Sequence, residues 1–442
     1  MNKNNIKTVA LLFASGILSS TAIASQQNPV ELQVPIDDIQ RYSTVLEHVK
    51  NYYVNSIDDS KLFEDSIRGM LAGLDPHSAY LDQDEYMELK EGTSGKFGGL
   101  GIEVVMEDGF VKIISPIDDT PADKAGIEAG DLIIKLDDTP VKGLSMREAV
   151  DLMRGKKGTA IILTIIRKGV DHPLAINVKR DIISSASVKH KIFDTDYAYI
   201  RVSQFQTDTG EEMKKAILKL NKEMKQNPKG IILDLRNNPG GILQSSVEAA
   251  DLFLEKNKLN HDGVIVFSKG RAPGTQLREV SKSKDMTHGA PIVVLVNGGT
   301  ASAGEILTAA LQDHQRAIVI GEPTFGKGSV QTVLPLKDQR ALKLTTALYY
   351  TPSGKSIQAK GIIPDIIIEN MKIPTAKENT SAGFDIKESD LNGHLSNAKK
   401  TDVKTEKNKD TFTSAELLNK DYQLYEALNL VKAMYLSKGF NN

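Results

Sequence analysis

The stretch PIVVLVNGGTASAGEI, residues 291–306, runs through an unbroken apolar segment into Asn297-Gly298-Gly299 and restarts as a helix at Ser302. Six residues from Pro291 to Val296 with no polar break are the signature of a strand buried on both faces, as in a parallel sheet. The glycines turn the chain, and Ser302 to Gln312 has helical composition. Ser302 then has two readings. Its Oγ can project from a strand-to-helix turn, with the first free N–H groups of the helix placed to hold a developing oxyanion. Alternatively, Ser302 and Glu305 form the S-x-x-E capping box, in which the serine only satisfies backbone donors. The G-x-S-x-G elbow is excluded, because Thr300 stands where its first glycine belongs. This segment alone leaves both readings open.

The surrounding sequence alternates strand and helix. Tyr197 to Val202, Gly230 to Arg236, Gly263 to Ser268 and Ala317 to Ile320 read as strands, with helices at Thr209 to Lys225 and 242–255. Two β-runs, Val330 to Leu336 and Ala341 to Tyr350, close the block. Such alternation predicts an α/β core with a site at the carboxyl ends of its strands. Two further turns carry possible chemistry. In GEPTFGKGSVQTVLPL (321–336) the P-loop spacing fails at Gly328, where a Ser or Thr should hold magnesium, and a strand follows instead of a helix. Glycines on both sides of Lys327 suggest a bent backbone that aims this lysine. Gln331 is about 13 Å further along an extended chain, so the two meet only through a bend at Gly326 and Gly328. In ILDLRNNPGGIL (232–243), Gly240 and Gly241 let backbone N–H groups approach a bound carbonyl. The plainer reading is a strand-to-helix connection with Asp234 and Arg236 as a structural ion pair.

Residues 91–180 form a smaller unit. GGLGIEVV (98–105) opens a strand, Gly109 turns into a second (Phe110 to Ile114), and Pro121 starts a short helical piece. Asp131 to Leu136 is another strand, Ser145 caps a helix to Met153, and Ala160 to Arg167 is a buried strand. With SPIDDTPADKAGIEAGDLIIKLD (115–137) and SMREAVDLMRGKKGTAIILTIIR (145–167), this segment resembles a PDZ domain. The resemblance implies that Gly99, Leu100, Gly101 and Ile102 present amides to a peptide's terminal carboxylate. The peptide would then add as a strand to the domain's edge.

The flanks are simpler. Residues 36–90 read mainly as helix, with Ile39, Tyr42, Val45, Leu46, Val49 and Tyr53 on one face, and a second helix over 60–74 turning Leu62, Ile67, Leu71 and Leu74 inward. Residues 370–413 are a polar linker, and an amphipathic helix from about Ser414 to Lys438 buries Leu417, Leu418, Leu424, Leu428, Val431 and Met434. Lys3 and Lys7, an apolar run to Leu18 and Ala22-Ile23-Ala24 read as a secretory signal peptide. Its removal takes the formal net charge from −2 to −4. Charge so near zero argues against a bulk grip on nucleic acid or an anionic membrane surface. The 442 residues contain no cysteine, which excludes disulfides, thiol nucleophiles and cysteine-ligated metals.

LDPHSAYL (74–81), the PDZ segment, YIRVSQF (199–205), DLRNNPGG (234–241), NGGTASAGEI (297–306), GKGSVQ (326–331) and YYTPSGKSIQAKGIIPD (349–365) together resemble the carboxyl-terminal processing, or tail-specific, proteases. The resemblance covers nearly the whole chain after the leader. It implies a multidomain α+β and α/β protein: signal peptide 1–24, helical N-terminal region 25–94, PDZ domain 95–180, a ClpP/crotonase-like α/β protease core 181–369, polar linker 370–413 and C-terminal helix 414–442. It also implies Ser302 as nucleophile, Lys327 as general base and Gln331 as the lysine's orienter, with the oxyanion held by the amides of Ala303 and of Gly240 or Gly241. No metal or other cofactor is implied. The substrates would be proteins or peptides held by their C-termini, cleaved in the bacterial periplasm, with association at the inner-membrane surface, an adaptor protein and a homodimer or larger oligomer left open.

The chemistry is sound on its own terms. A lysine with its ordinary pKa of about 10.4 is charged and no base, but burial disfavours the charge. Neutral, it can take the serine proton and return it to the leaving amine. A histidine base is the rival. His314 falls at the far end of the helix after Ser302, about 18 Å away, and His288 lies in the loop before the strand. The non-enzymatic alternative is a PDZ-type binding module on a silent protease scaffold.

Overall fold

The computed structural model describes residues 35–117, 119–371, 417 and 420–440. The expected signal peptide and most of the linker lie outside them. Helices α1 (Ile36–Tyr52) and α2 (Asp59–Ala72) are followed by a short strand, β1 (Ala79–Leu81), and α3 (Gln83–Ser94). Helix α2 stops two residues earlier than its apolar spacing suggests. Leu71 is therefore buried, whereas Leu74, past the helix end, is 61% exposed. Asp75 shapes the next turn, its Oδ1 accepting the N–H groups of His77 and Ser78.

The PDZ segment contains β2 (Lys96–Gly99), β3 (Ile102–Glu107), β4 (Phe110–Pro116), α4 (Pro121–Lys124), β5 (Leu132–Leu136), β6 (Thr139–Pro140), α5 (Met146–Met153), β7 (Ala160–Ile166), β8 (Leu174–Lys179) and β9 (Asp181–Ser184). Its main sheet has the order β3-β4-β5-β7-β8, which leaves β3 on an edge. Every second residue turns inward, and Val111, Ile113, Ile133, Leu163 and Ile165 form a closed core. Strands β2 and β9 pair antiparallel where the chain enters and leaves this unit. Arg180 ties that exit to α5 by donating to the carbonyls of Leu152 and Met153, a cation at a helix C-terminus.

The remaining elements are β10 (Val188–Phe193), β11 (Tyr197–Val202), α6 (Thr209–Met224), β12 (Gly230–Asp234), α7 (Leu243–Asp251), β13 (Val264–Gly270), β14 (Arg278–Val280), β15 (Ile292–Val296), α8 (Ala303–Asp313), β16 (Ile318–Gly321), β17 (Ser329–Pro335), β18 (Ala341–Tyr350), β19 (Ile366–Ile367) and α9 (Tyr422–Phe440). The central sheet runs β10-β11-β12-β15-β16-β19, parallel except for the β10–β11 pair. Ile231, Leu233, Ile292 and Val294 pack on one face with Met213, Ile217, Val247 and Leu307 of α6, α7 and α8. Ile232, Val293 and Leu295 face the other way, onto Leu424, Leu428 and Val431 of α9. Burial on both faces explains why β12 and β15 read as continuous apolar runs. Leu417, Leu424, Leu428 and Val431 are buried as their spacing predicts, with Met434 packed beside them; Leu418 lies outside the described residues. A second, antiparallel sheet, β1-β18-β13-β14 with β17 on β18, brings the N-terminal strand β1 into the core.

Candidate active site

Two turns at the carboxyl ends of β12 and β15 are laced together. Thr300 Oγ1 donates to Leu235 O, and Ala301 N–H to Asn238 O. Asn237 N–H donates to Asn297 Oδ1, and Asn297 Nδ2 to Asn237 Oδ1. Thr300, which breaks the elbow pattern, is thus a strut between the turns. Beyond it the chain bends sharply: Ser302 has φ +53° and ψ −116°, a conformation that non-glycine residues seldom adopt. Such strain persists only where surrounding contacts enforce it.

Glu305 supplies much of that enforcement. Its side chain is fully buried and accepts the backbone N–H groups of Ser302 (2.8 Å), Gly326 (2.7 Å) and Lys327 (2.9 Å), along with the Thr324 hydroxyl. One carboxylate therefore fastens the serine turn to the lysine turn. Tyr349, also buried, adds a second link. Its hydroxyl lies 3.2 Å from Ser302 Oγ and donates to the Lys327 carbonyl. Among the described residues the Lys327 side chain has no hydrogen-bond or ion-pair partner. Burial, and then the charge of Lys343, hold its pKa below that of an ordinary lysine.

Gly240 packs directly against the serine. A Cβ there would lie 2.6 Å from Ser302 Cβ and 3.0 Å from Ala303 N, so only glycine fits, and its φ of +99° has the same requirement. Gly240 N–H donates to Asn238 Oδ1. The N–H groups of Gly241 and Ala303 have no acceptor among the described residues. Asp234 and Arg236 do pair, at 2.7 Å, and Arg236 reaches on to Asp421 just before α9.

Gln331 sits at a register shift in β17, between Val330 and Gln331. Its Nε2 donates to Ser329 Oγ (3.0 Å) and Thr345 Oγ1 (3.3 Å). The structure thus brings Ser302, Ala303, Gly240 and the Lys327 backbone together. Direct Ser302 Oγ to Lys327 Nζ and Lys327 to Gln331 hydrogen bonds are not formed. The histidine rivals lie elsewhere: His314 Nε2 contacts Val264 O beyond the end of α8, and His288 precedes β15 at the end opposite Ser302. A further histidine, His77, has its pKa lowered by burial and then by the charge of Lys327. Among the described residues no cluster of three or more histidines or carboxylates is placed to hold a metal.

In the PDZ segment the carbonyls of the glycine loop are spent internally. Leu100 O accepts from Ala122 N–H, and Gly101 O from Ile117 N–H and Thr120 Oγ1. Gly101 has φ +80° and touches Thr120 closely enough to exclude any Cβ. The Leu100 and Gly101 N–H groups have no acceptor among the described residues, beside the free edge of β3.

An α/β core with a strained serine turn, a partly desolvated lysine and an attached PDZ fold is the set of features expected of a PDZ-bearing peptidase. Residues 196–368 match peptidase family S41, residues 98–178 a PDZ domain, and residues 9–85 the activating protease CtpB N-terminal domain. The carboxy-terminal-processing protease of Bartonella bacilliformis is 44% identical over 400 residues, covering 90% of each chain. The carboxy-terminal processing protease CtpA of Bacillus subtilis is 40% identical over 324 residues, 73% of this chain and 67% of that one. The photosystem II D1 C-terminal processing protease, a solved structure, is 29% identical with a TM-score of 0.43, covering 75% of this chain and 88% of that one. The chain belongs to the carboxy-terminal-processing proteases and is a peptidase, which sets aside the binding-module reading.

Proposed function

We propose that this peptidase is an exported endopeptidase in which Ser302 is the nucleophile, Lys327 the general base and Gln331 the group that orients the lysine. The observation that carries this reading is the fully buried Glu305 carboxylate, which holds the backbones of Ser302 and Lys327 in one knot. The lysine amine is partly desolvated and, among the described residues, has no hydrogen-bond or ion-pair partner. In the reaction Ser302 Oγ leaves Tyr349 and gives its proton to the Lys327 amine as it bonds to the substrate carbonyl carbon. The oxyanion is met by Ala303 N–H and by Gly241 N–H, since Gly240 N–H is already committed to Asn238. The lysine ammonium then protonates the departing amine, and water releases the acyl group by the same steps in reverse.

The substrate's tail is read at the edge of β3. The free N–H groups of Leu100 and Gly101, with Gly99 and Ile102 on either side, receive the terminal carboxylate, and the peptide extends the sheet. The domain partition given above, the cleaved leader and the periplasmic location belong to the same proposal; adaptor and oligomeric state are left to experiment. The test is an unfolded protein with an apolar free C-terminus and its C-terminally amidated twin. Shortening of the first, slower cleavage of the second and no cleavage by Ser302→Ala are expected. Equal turnover of the two substrates would count against tail recognition, and cleavage by Ser302→Ala against the nucleophile.

A further inference from the structure

The turn before β1 reaches Gln331 through a chain of hydrogen bonds. Strand β1 pairs with β18, Ala79 opposite Lys343, which sets the Asp75–Ser78 turn over the middle of β18. There Thr345 Oγ1 donates to Asp75 Oδ1 at 3.0 Å, and Thr345 N–H to Ser78 Oγ at 3.1 Å. Ser78 Oγ donates in turn to Asp75 Oδ2 at 2.6 Å. On its other side Thr345 lies directly opposite Gln331 in the β17–β18 register and receives Gln331 Nε2.

The proton directions in this chain have only one consistent solution. An ionised carboxylate can only accept, and the bond from Ser78, with those from His77 N–H, Ser78 N–H and Thr345 behind it, holds the Asp75 pKa at about 2. The Thr345 proton is therefore committed to Asp75, and its oxygen toward Gln331 can only accept. Of the two ends of the Gln331 amide, only the NH2 can meet it. Its second N–H goes to Ser329 Oγ. Both hydrogens are used, and the Gln331 oxygen has no donor among the described residues. A glutamine without such a network could present either end of its amide. A neutral lysine amine whose lone pair faces a serine needs an acceptor for its N–H, not another donor.

We infer that Asp75 and Thr345 are positioning residues that lock the Gln331 amide with its oxygen left for Lys327, making the turn before β1 part of the catalytic apparatus. This rests on the serine–lysine–glutamine reading proposed above. The turn holds no reacting atom; it acts through Gln331.

The test is a set of steady-state measurements on the full chain with the apolar-tailed substrate. It uses Thr345→Val, Thr345→Ser, Gln331→Ala, the Thr345→Val/Gln331→Ala double variant and Ser302→Ala. Thr345→Val keeps shape and strand propensity but removes the relay. Its kcat should fall about tenfold with KM within about twofold, the size expected for one hydrogen bond that acts in the transition state. Thr345→Ser restores the hydroxyl and should recover most of the rate. In the Gln331→Ala background, adding Thr345→Val should change kcat by less than about twofold, because the group it positions is already gone. A cost equal in both backgrounds, or a Thr345→Ser variant as slow as Thr345→Val, would overturn the relay. If Ser302→Ala is inactive while the cycle is additive, the relay alone fails. If Ser302→Ala remains active, the catalytic reading fails and the relay with it.

Discussion

Glu305 accepts the backbone N–H of Lys327 at 2.9 Å although its own carboxylate is wholly removed from solvent. A buried charge is tolerable when donors replace the lost water, and Glu305 has four: Ser302, Gly326 and Lys327 N–H and the Thr324 hydroxyl. Glu305→Gln puts an NH2 where one accepting oxygen was, leaving donors facing donors. Each buried donor so orphaned costs about 1–3 kcal/mol. The variant should unfold at lower temperature and, where still folded, lose most of its kcat, because both turns relax together. Thermal unfolding alongside kcat checks this; wild-type kcat in a folded Glu305→Gln enzyme would contradict it.

The pH dependence has a definite sign. Burial and the charge of Lys343 lower the pKa of Lys327 from the ordinary value of 10.5. A general base works deprotonated, so kcat should rise with pH through this lowered pKa, and the rising limb should lie below pH 10.5. Lys343→Met removes a repelling charge and makes protonation easier, so the limb should move to higher pH. His77 is itself held below its ordinary pKa by burial and then by the charge of Lys327. A limb that stays in place in Lys343→Met would argue that another group is titrating.

Gly240→Ala should be among the most damaging small changes in the chain. The added methyl would meet Ser302 Cβ at 2.6 Å and Ala301 O at 2.9 Å, at a backbone φ of +99°. The serine must shift, and a displacement of the order of 1 Å costs about 100-fold in rate. Labelling of Ser302 by a serine-directed phosphonate should slow in parallel; normal labelling would show that the turn absorbs the methyl.

Removing the proposed nucleophile or base should abolish cleavage, whereas the distant histidines should matter only for stability. Ser302→Ala and Lys327→Ala are expected to be inactive. His288→Ala and His314→Ala should retain activity per folded molecule, although the latter loses a bond to Val264 O. An inactive, folded His288→Ala or His314→Ala enzyme would sink the lysine-base mechanism.

Much of this architecture was legible because short segments carry it. The apolar runs of β12 and β15 could only be strands covered on both faces. Ala341–Tyr350 reads directly as a strand and is one. Gly240 and Gly241 mark a close backbone approach without naming the neighbours, which are Ser302 and Phe205. The α2 terminus is not legible in the spacing, because the helical pattern persists to Leu74 while the helix ends at Ala72. Glu305 was visible only as the far half of a capping box, and Tyr349 only as part of a motif. Nothing within either segment indicates that one carboxylate gathers donors from two turns.

The residue order therefore specifies the local shapes: strands from apolar runs, turns from glycines, the exposed serine from a strand-to-helix junction. These depend on dihedral preference and burial over a few neighbouring residues. Which groups meet was settled by pairings between remote segments, above all β1 on β18 and β17 on β18. A hydrogen bond or a desolvated amine depends on positions in space, and chain separation does not encode them. That is why Asp75, Thr345 and Gln331 become one chain of hydrogen bonds only after the sheet has closed.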